Sequence, residues 1–445
     1  MHVPEHWQWF NQARFGMFIH WGPFAIVSRG EQVINREHLD QDEYAQAACD
    51  WSPEHFNPRQ WAAVAKQAGM KYVVFTTRHH DGFCMWDTKL TDYSSTAQSA
   101  KRDYVREVVD AFRAEGLRIG MYYSLLDFRV PAWFRGPDGD PEGWERVREY
   151  VFGQVRELLT DYGEVDVIWF DGLWPRTAEE LDSGAMIDTI RSLQPDILIN
   201  DRLEWPQFSW HWQDANHVIA GRDKELGDFG TPENCINARP DYLWESCQVS
   251  TWRLWGFSQG ERWRSVAELL DHLVECASRG GNFLLNVGPQ PDGQLPAAFV
   301  DRAAAIGKWM DVHGEAIYGS TGGSVTEFVT RGWQTVRDHN LYLIFRFWDG
   351  APTLRLADLA TPITRATLIT TGKELEFEQQ GETLILRGLP NEAPTDLFPV
   401  IRLECAGVPT GGAWAQQGPW QGDPERYAAW AESRGTSVWT DGRER

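Results

Sequence analysis

The sequence predicts an α/β protein: a (β/α)8-like barrel followed by a C-terminal antiparallel β-sandwich. Three features predict it. Apolar, β-branched runs alternate with amphipathic helical stretches through residues 1–317, the rhythm of a parallel sheet. These runs end in polar residues, as buried parallel strands do when they deliver side chains to the C-terminal mouth of a barrel. Over residues 318–406 the texture changes to short alternating runs separated by Gly, Asp and Asn, the pattern of antiparallel strands.

In chain order, Trp7 to Arg14 reads as a lead-in helix and Arg14 to Gly22 as the first strand, with His20 at its end. Pro23 to Glu43 reads as a long polar loop carrying Glu31, Arg36 and Glu37, and long loops tend to carry function. A helix from Asn57 to the capping Gly69 precedes the second strand, Lys71 to His80. That strand ends in the pair His79-His80. Neighbouring strand residues point to opposite faces, so both histidines reach the mouth only if the chain bends there. A helix from Asp103 to Gly116 leads to the third strand, Leu117 to Ser124, with Tyr122 and Tyr123 near its end. A helix from Glu142 to Tyr162 leads to the fourth, Val165-Asp-Val-Ile-Trp-Phe-Asp-Gly172. Ala178 to Leu193 is helical, and Asp196 to Arg202 is the fifth strand. Trp244 to Val249, the helix Arg264 to Arg279, the strand Asn282 to Gly288 and the helix Ala297 to His313 complete the barrel. The missing eighth strand has to lie between Arg202 and Trp244 or between Val249 and Gly281. In the sandwich, Ser324 to Val329, Leu341 to Trp348, Thr367 to Thr371 and Glu382 to Leu386 read as strands. Residues 407–445 read as a Trp/Gly/Pro-rich tail with a short helix at Tyr427 to Ser433.

The bulk composition excludes several functions. A net charge of −22 repels phosphate backbones, so no nucleic-acid partner is expected. No run approaches the roughly 18 apolar residues of a membrane span, so no membrane partner is expected either. The N-terminus, Met-His-Val-Pro, lacks the basic-then-apolar order of a secretion signal. The six cysteines, Cys49, Cys84, Cys235, Cys247, Cys276 and Cys405, are scattered with no CxxC pair. Reduced, mostly buried thiols and a cytoplasmic location are therefore expected. Oligomeric state is not legible. The 24 Trp, 22 Phe and 12 Tyr fit either an aromatic-rich core or a pocket whose rings pack on the apolar faces of sugars.

Asp171, at a strand end and followed by Gly172, is the candidate reacting carboxylate; Asp-Gly is also a common turn pair. His20, His79 and His80 end neighbouring strands and favour the chemical reading. With Asp171 they satisfy the ligand count of a metal site, so a metal-dependent sugar isomerase or hydrolase on the same barrel is a rival reading. A sugar-binding protein without turnover is another.

Seven motifs occur in order at strand ends: Phe18-Ile-His-Trp-Gly22, Arg78-His-His-Asp-Gly-Phe83, Tyr122-Tyr-Ser124, Trp169-Phe-Asp-Gly172, Asn200-Asp-Arg202, Trp244-Glu245 and Asn282-Phe-Leu-Leu-Asn-Val-Gly-Pro289. Together they resemble the retaining α-L-fucosidases of glycoside hydrolase family 29, from about Phe10 to Tyr318. The resemblance implies a catalytic barrel with a C-terminal sandwich, acting on fucosylated glycosides or oligosaccharides without a metal or other cofactor. It implies Asp171 as nucleophile and His20, Glu31, His79, His80, Tyr123, Trp169 and Arg202 as sugar-binding residues. Many family members carry Trp after the residue matching Glu31, where this chain has Gln32; Val33 or an aromatic from another loop would take its place. The acid/base candidates are Glu204, Glu225, Glu233 and Glu245. Thr231-Pro-Glu233 has the position the family favours, so Glu233 is the first choice and Glu245 the second.

In that mechanism Asp171 attacks C1 of α-L-fucose to form a covalent fucosyl-enzyme, and Glu233 supplies and later recovers the proton. A galactoside keeps the mechanism and changes the sugar, because L-fucose and D-galactose differ little in ring shape.

Overall fold

The computed structural model describes residues 3–204, 226–236 and 242–412, apart from 324 and 327. The chain divides into two compact units, Met1–Gly319 and Ser320–Arg445. Glu225 and the helix expected at Tyr427 to Ser433 lie outside the described residues, as does the tail from residue 413.

The first unit holds an eight-stranded parallel sheet. Its strands are β1 (Phe15–Ile19), β2 (Tyr72–Arg78), β3 (Arg118–Ser124), β4 (Val167–Asp171), β5 (Leu198–Ile199), β6 (Phe229–Gly230), β7 (Leu243–Val249) and β8 (Asn282–Val287). They run in the order β5-β4-β3-β2-β1-β8-β7-β6. A parallel bridge between Asn200 and Phe229 joins the two edges into a barrel. The eighth strand is therefore β6, within the first of the two expected intervals. At two residues it is too short to show any periodicity.

The helices follow from ordinary end signals. Asn57 caps Pro58–Ala68, which stops at Gly69 with φ 89°. Asp103 caps Tyr104–Ala114, and Ser265 with Glu268 forms a capping box on Val266–Ser278. The helix expected from Ala178 to Leu193 is broken in two at Asp182, whose φ is 65°. Pro23 to Glu43 is not structureless: it contains the short helices Phe24–Val27 and Val33–Arg36 and the start of Gln41–Asp50.

The barrel interior is aromatic below and charged above. Phe18, Tyr72, Tyr122, Trp169 and Phe229 pack in one cluster, and Phe10 from the lead-in helix Gln8–Ala13 meets Phe229 at 4.9 Å. Tyr72 fits because its neighbour across β1 is Gly16; a Cβ there would sit 2.5 Å from the tyrosine ring. The Tyr72 hydroxyl donates to Glu245 Oε2 at 2.5 Å, and Trp169 Nε1 donates to Glu245 Oε1 at 2.9 Å. Burial pushes the Glu245 carboxyl up to about 7, against the pull of these two donors.

The second unit is antiparallel. Five strands run in the order Lys373–Glu374, Ile363–Leu368, Val400–Cys405, Asn340–Phe345 and Gly332–Arg337; three more run Thr353–Leu356, Thr383–Arg387 and Glu376–Gln380. Leu341, Leu343, Leu403, Leu354, Leu384 and Leu386 from the two sheets share one core, which makes the unit a sandwich. The described residues of Ser324 to Val329 are not a strand; the first strand starts later, at Gly332.

Gly16→Ala is expected to cost roughly 1–3 kcal/mol through overpacking against Tyr72, read as a lower urea midpoint. Glu245 binds its proton more tightly folded than unfolded, so its contribution to stability is full below pH 4.5 and is lost as pH rises through about 7. Glu245→Gln is expected to flatten the fall in stability across that window, measured by urea unfolding at a series of pH values.

Candidate active site

The mouth of the barrel is built around a buried guanidinium. Arg202 lies in the turn Asp201–Leu203 after β5. Its Nη1 donates to Asp171 Oδ1 at 3.0 Å and its Nη2 to Glu233 Oε2 at 3.0 Å. Its Nε donates to Thr231 Oγ1 at 3.0 Å, and its plane lies 4.5 Å over the Trp169 ring. One planar fork thus bridges the two expected carboxylates. Asp171 ends β4 with its side chain 17% exposed, while Glu233 is 36% exposed.

Burial by itself raises the pKa of Asp171. The Arg202 charge and the Tyr122 hydrogen bond outweigh it and hold the carboxyl below its ordinary range. Tyr122 donates to Asp171 Oδ2 at 2.9 Å, and His80 Nε2 lies 3.6 Å from the same oxygen. Burial next to this carboxylate pushes the Tyr122 phenol well up, so it stays a donor.

The histidines are neutral groups. Burial pulls His20 down to about 3 and His80 to about 4, and His79 well below its ordinary value. Their tautomers follow from their partners. Ser124 Oγ gives its hydrogen to the Leu126 carbonyl at 2.7 Å, so it accepts from His80 Nδ1 at 2.7 Å. Asn286 gives its amide hydrogen to the Trp255 carbonyl at 2.7 Å, so its Oδ1 accepts from His20 Nδ1 at 2.7 Å. Both rings keep Nε2 as an acceptor.

A shift of register between Thr76 and Arg78 explains how the paired histidines reach the mouth. This β-bulge turns Arg78 outward, where it meets Asp127 Oδ2 at 3.1 Å and the Tyr123 hydroxyl at 2.6 Å. His79 and His80 then sit side by side, ring centroids 4.1 Å apart. His79 stacks on Tyr122 at 5.5 Å and lies 5.6 Å from His20.

Two expected site residues stand elsewhere. Tyr123 faces away from the mouth: its hydroxyl lies between Arg78 and Gln154 Oε1, 2.8 Å from the latter. Strand alternation makes Tyr122 the tyrosine that reaches Asp171. Glu245, the second choice for the acid/base, is wholly buried beneath the mouth, on Tyr72 and Trp169. Trp169 is 2% exposed and serves as floor beneath Arg202. Glu31 is buried and accepts the backbone amides of Trp255 and Gly256, each at 3.0 Å, on one oxygen. Those amides belong to the loop after β7, whose Trp255 lies 5.1 Å from His20 and 5.8 Å from Phe18. Nothing in the sequence marks Trp255 as a site residue, whereas Asn286 lies within the stretch Asn282 to Pro289. Glu204 follows the turn that carries Arg202.

Among the described residues, no three His, Cys, Asp or Glu side chains converge as a metal-binding group, and no helix is long and apolar enough to cross a membrane. The six cysteines form no disulfide; four are buried, Cys49 is half-buried and Cys235 is exposed.

The alpha-L-fucosidase family model matches residues 3–315. Tissue alpha-L-fucosidase from Bos taurus is 30% identical over 89% of this chain and 88% of its own length. Alpha-L-fucosidase isoenzyme 1 from Paenibacillus thiaminolyticus is 34% identical, with a TM-score of 0.80 over 90% of this chain and 99% of its own. A Bacteroides thetaiotaomicron alpha-L-fucosidase solved as a trapped covalent intermediate is 28% identical, with a TM-score of 0.81 over 91% and 97% of the two chains. With barrel, sandwich and clustered carboxylates all in place, the chain belongs to the alpha-L-fucosidase family.

Proposed function

We propose that Asp171 and Glu233 are the nucleophile and the acid/base of this enzyme. The chain is a retaining α-L-fucosidase: it hydrolyses terminal α-L-fucosyl residues through a covalent fucosyl-enzyme. The observation that carries the assignment is the Arg202 fork, which holds both carboxylates on one group at the barrel mouth. Retaining glycosidases place their carboxyls about 5–5.5 Å apart so that one can attack carbon directly.

In the first step an Asp171 oxygen bonds to C1 of fucose as the bond from C1 to the leaving oxygen breaks. Glu233 gives its proton to that oxygen. In the second step Glu233 takes a proton from water, the water oxygen bonds to C1, and the bond to Asp171 breaks. The depressed pKa of Asp171 keeps the nucleophile ionised. Tyr122 and Arg202 hold its two oxygens and orient its lone pairs. The neutral His20 and His80 offer Nε2 acceptors to sugar hydroxyls, bonds that strengthen as the ring gains positive charge. His79, Glu31, Trp169 and Arg202 complete the sugar contacts in this reading. Tyr122 takes the part expected of Tyr123, and Trp255 supplies the aromatic surface lost at Gln32.

Asp171→Gly is expected to lower kcat on an aryl α-L-fucoside by on the order of 10⁴-fold or more, with a chelator present throughout and wild-type turnover unaffected by it. Wild-type-like rates in this variant would sink the assignment. Glu233→Ala is expected to lose roughly 10²–10⁴-fold on poor leaving groups and far less on good ones. Azide should then intercept the fucosyl-enzyme and yield fucosyl azide of retained configuration. Glu245→Ala giving that product, and Glu233→Ala not, would reverse the choice.

A further inference from the structure

The end of β3 runs on into the segment Ser124 to Phe128, which is bonded to both neighbouring strand ends. Leu125 N donates to the Asp171 carbonyl at 2.8 Å, and Phe128 N donates to the His80 carbonyl at 2.8 Å. Asp127, within the segment, accepts Arg78 Nη2 at 3.1 Å and Arg129 N at 2.8 Å. The Ser124 carbonyl takes Arg78 Nη1 at 3.2 Å. One short stretch of chain thus fixes the backbones of His80 and Asp171 relative to each other.

The ring of His80 is fixed as well. Gly172 has φ 73°, and a Cβ there would sit 3.1 Å from His80 Cε1 and 3.2 Å from its Nδ1. Phe128 and Trp174 meet the ring edge to face at 5.7 and 5.5 Å. Packed on these sides, the ring keeps one orientation. What remains open is which nitrogen carries its proton.

Ser124 decides that. Its side chain is buried, and its one hydroxyl hydrogen goes to the Leu126 carbonyl, which has only lone pairs. Towards His80 the Ser124 Oγ therefore has only lone pairs, and Nδ1, 2.7 Å away, has to hold the proton. A neutral imidazole has one N–H, so Nε2 is bare. It faces Asp171 Oδ2 at 3.6 Å, two acceptors with no hydrogen between them. Oδ2 receives the Tyr122 hydroxyl at 2.9 Å and nothing from His80.

We propose that Ser124 is a positioning residue for the nucleophile. By drawing the His80 proton onto Nδ1 it withholds a further hydrogen bond from Asp171 Oδ2, and it leaves Nε2 for a donor that the substrate brings, a sugar hydroxyl. The proposal rests on the fucosidase reading of the mouth and adds to it a residue that touches neither the sugar nor the carboxylate. Without the Ser124 oxygen the proton moves to Nε2 and donates to Oδ2. The resting carboxylate is then stabilised and the sugar hydroxyl meets an N–H, so attack on C1 slows.

The test reads the His80 tautomer and the rate together, in wild type, Ser124→Ala and Ser124→Thr. Long-range nitrogen–proton NMR correlations on protein labelled with 15N-histidine distinguish Nδ1–H from Nε2–H, and their loss in His80→Gln identifies the His80 signals. Wild type and Ser124→Thr are expected to show Nδ1–H and Ser124→Ala to show Nε2–H. Ser124→Ala is also expected to lower kcat/KM on an aryl α-L-fucoside on the order of 10- to 100-fold. A wild-type proton on Nε2 would overturn the proposal, whether or not either variant folds. So would Ser124→Ala losing rate with its tautomer unchanged, the mark of a merely structural serine, or changing tautomer at the wild-type rate. Wild type showing Nδ1–H but no turnover of any α-L-fucoside would instead overturn the reading of the mouth on which the proposal stands.

Discussion

The buried guanidinium of Arg202 is the constraint on which the mouth depends. A cation removed from water is costly unless its donors are met and its charge is balanced. Here Asp171 and Glu233 balance it, Thr231 takes Nε, and Trp169 lies beneath its plane. The three charged residues come from three different places in the chain: the end of β4, the turn after β5 and the segment after β6. Closing the barrel between Asn200 and Phe229 brings them together. The arrangement is therefore a product of the whole barrel.

Around that fork the protein separates charged from neutral groups by burial. Three histidines are held neutral, chiefly by desolvation, while Asp171 stays ionised because a cation touches it. Glu245, one layer below, lacks such a contact and is pushed up to about 7. Two carboxyl groups in the same barrel thus differ in proton affinity because one pairs with a guanidinium and the other with a phenol and an indole.

Most of the barrel was legible because its strands are apolar runs with polar ends, and Asp171, His20 and Arg202 fall at those ends. What escaped was local. β6 has two residues, too few for a pattern. Two adjacent tyrosines carry no mark that says which is turned inward, and the answer rests on the register of β3 beside β4, where Tyr122 faces Trp169. Trp255 reaches the site from a loop whose course is set by backbone bonds to residues more than two hundred positions earlier, at Gly30 and Glu31. The break at Asp182 depends on a positive φ at a residue other than glycine, which composition does not announce.

The bulge in β2 sets how the gene can change. The strand's faces are assigned by counting residues, and the bulge adds one to the count between Thr76 and Arg78. Side-chain replacements in this stretch leave the count alone. Loss of a single codon there would move every later residue to the opposite face, aiming Arg78 into the barrel and withdrawing it from Asp127, while the histidine pair lost its place beside Asp171. The register of this strand is unchanged by replacing a side chain, whereas an insertion or deletion resets it.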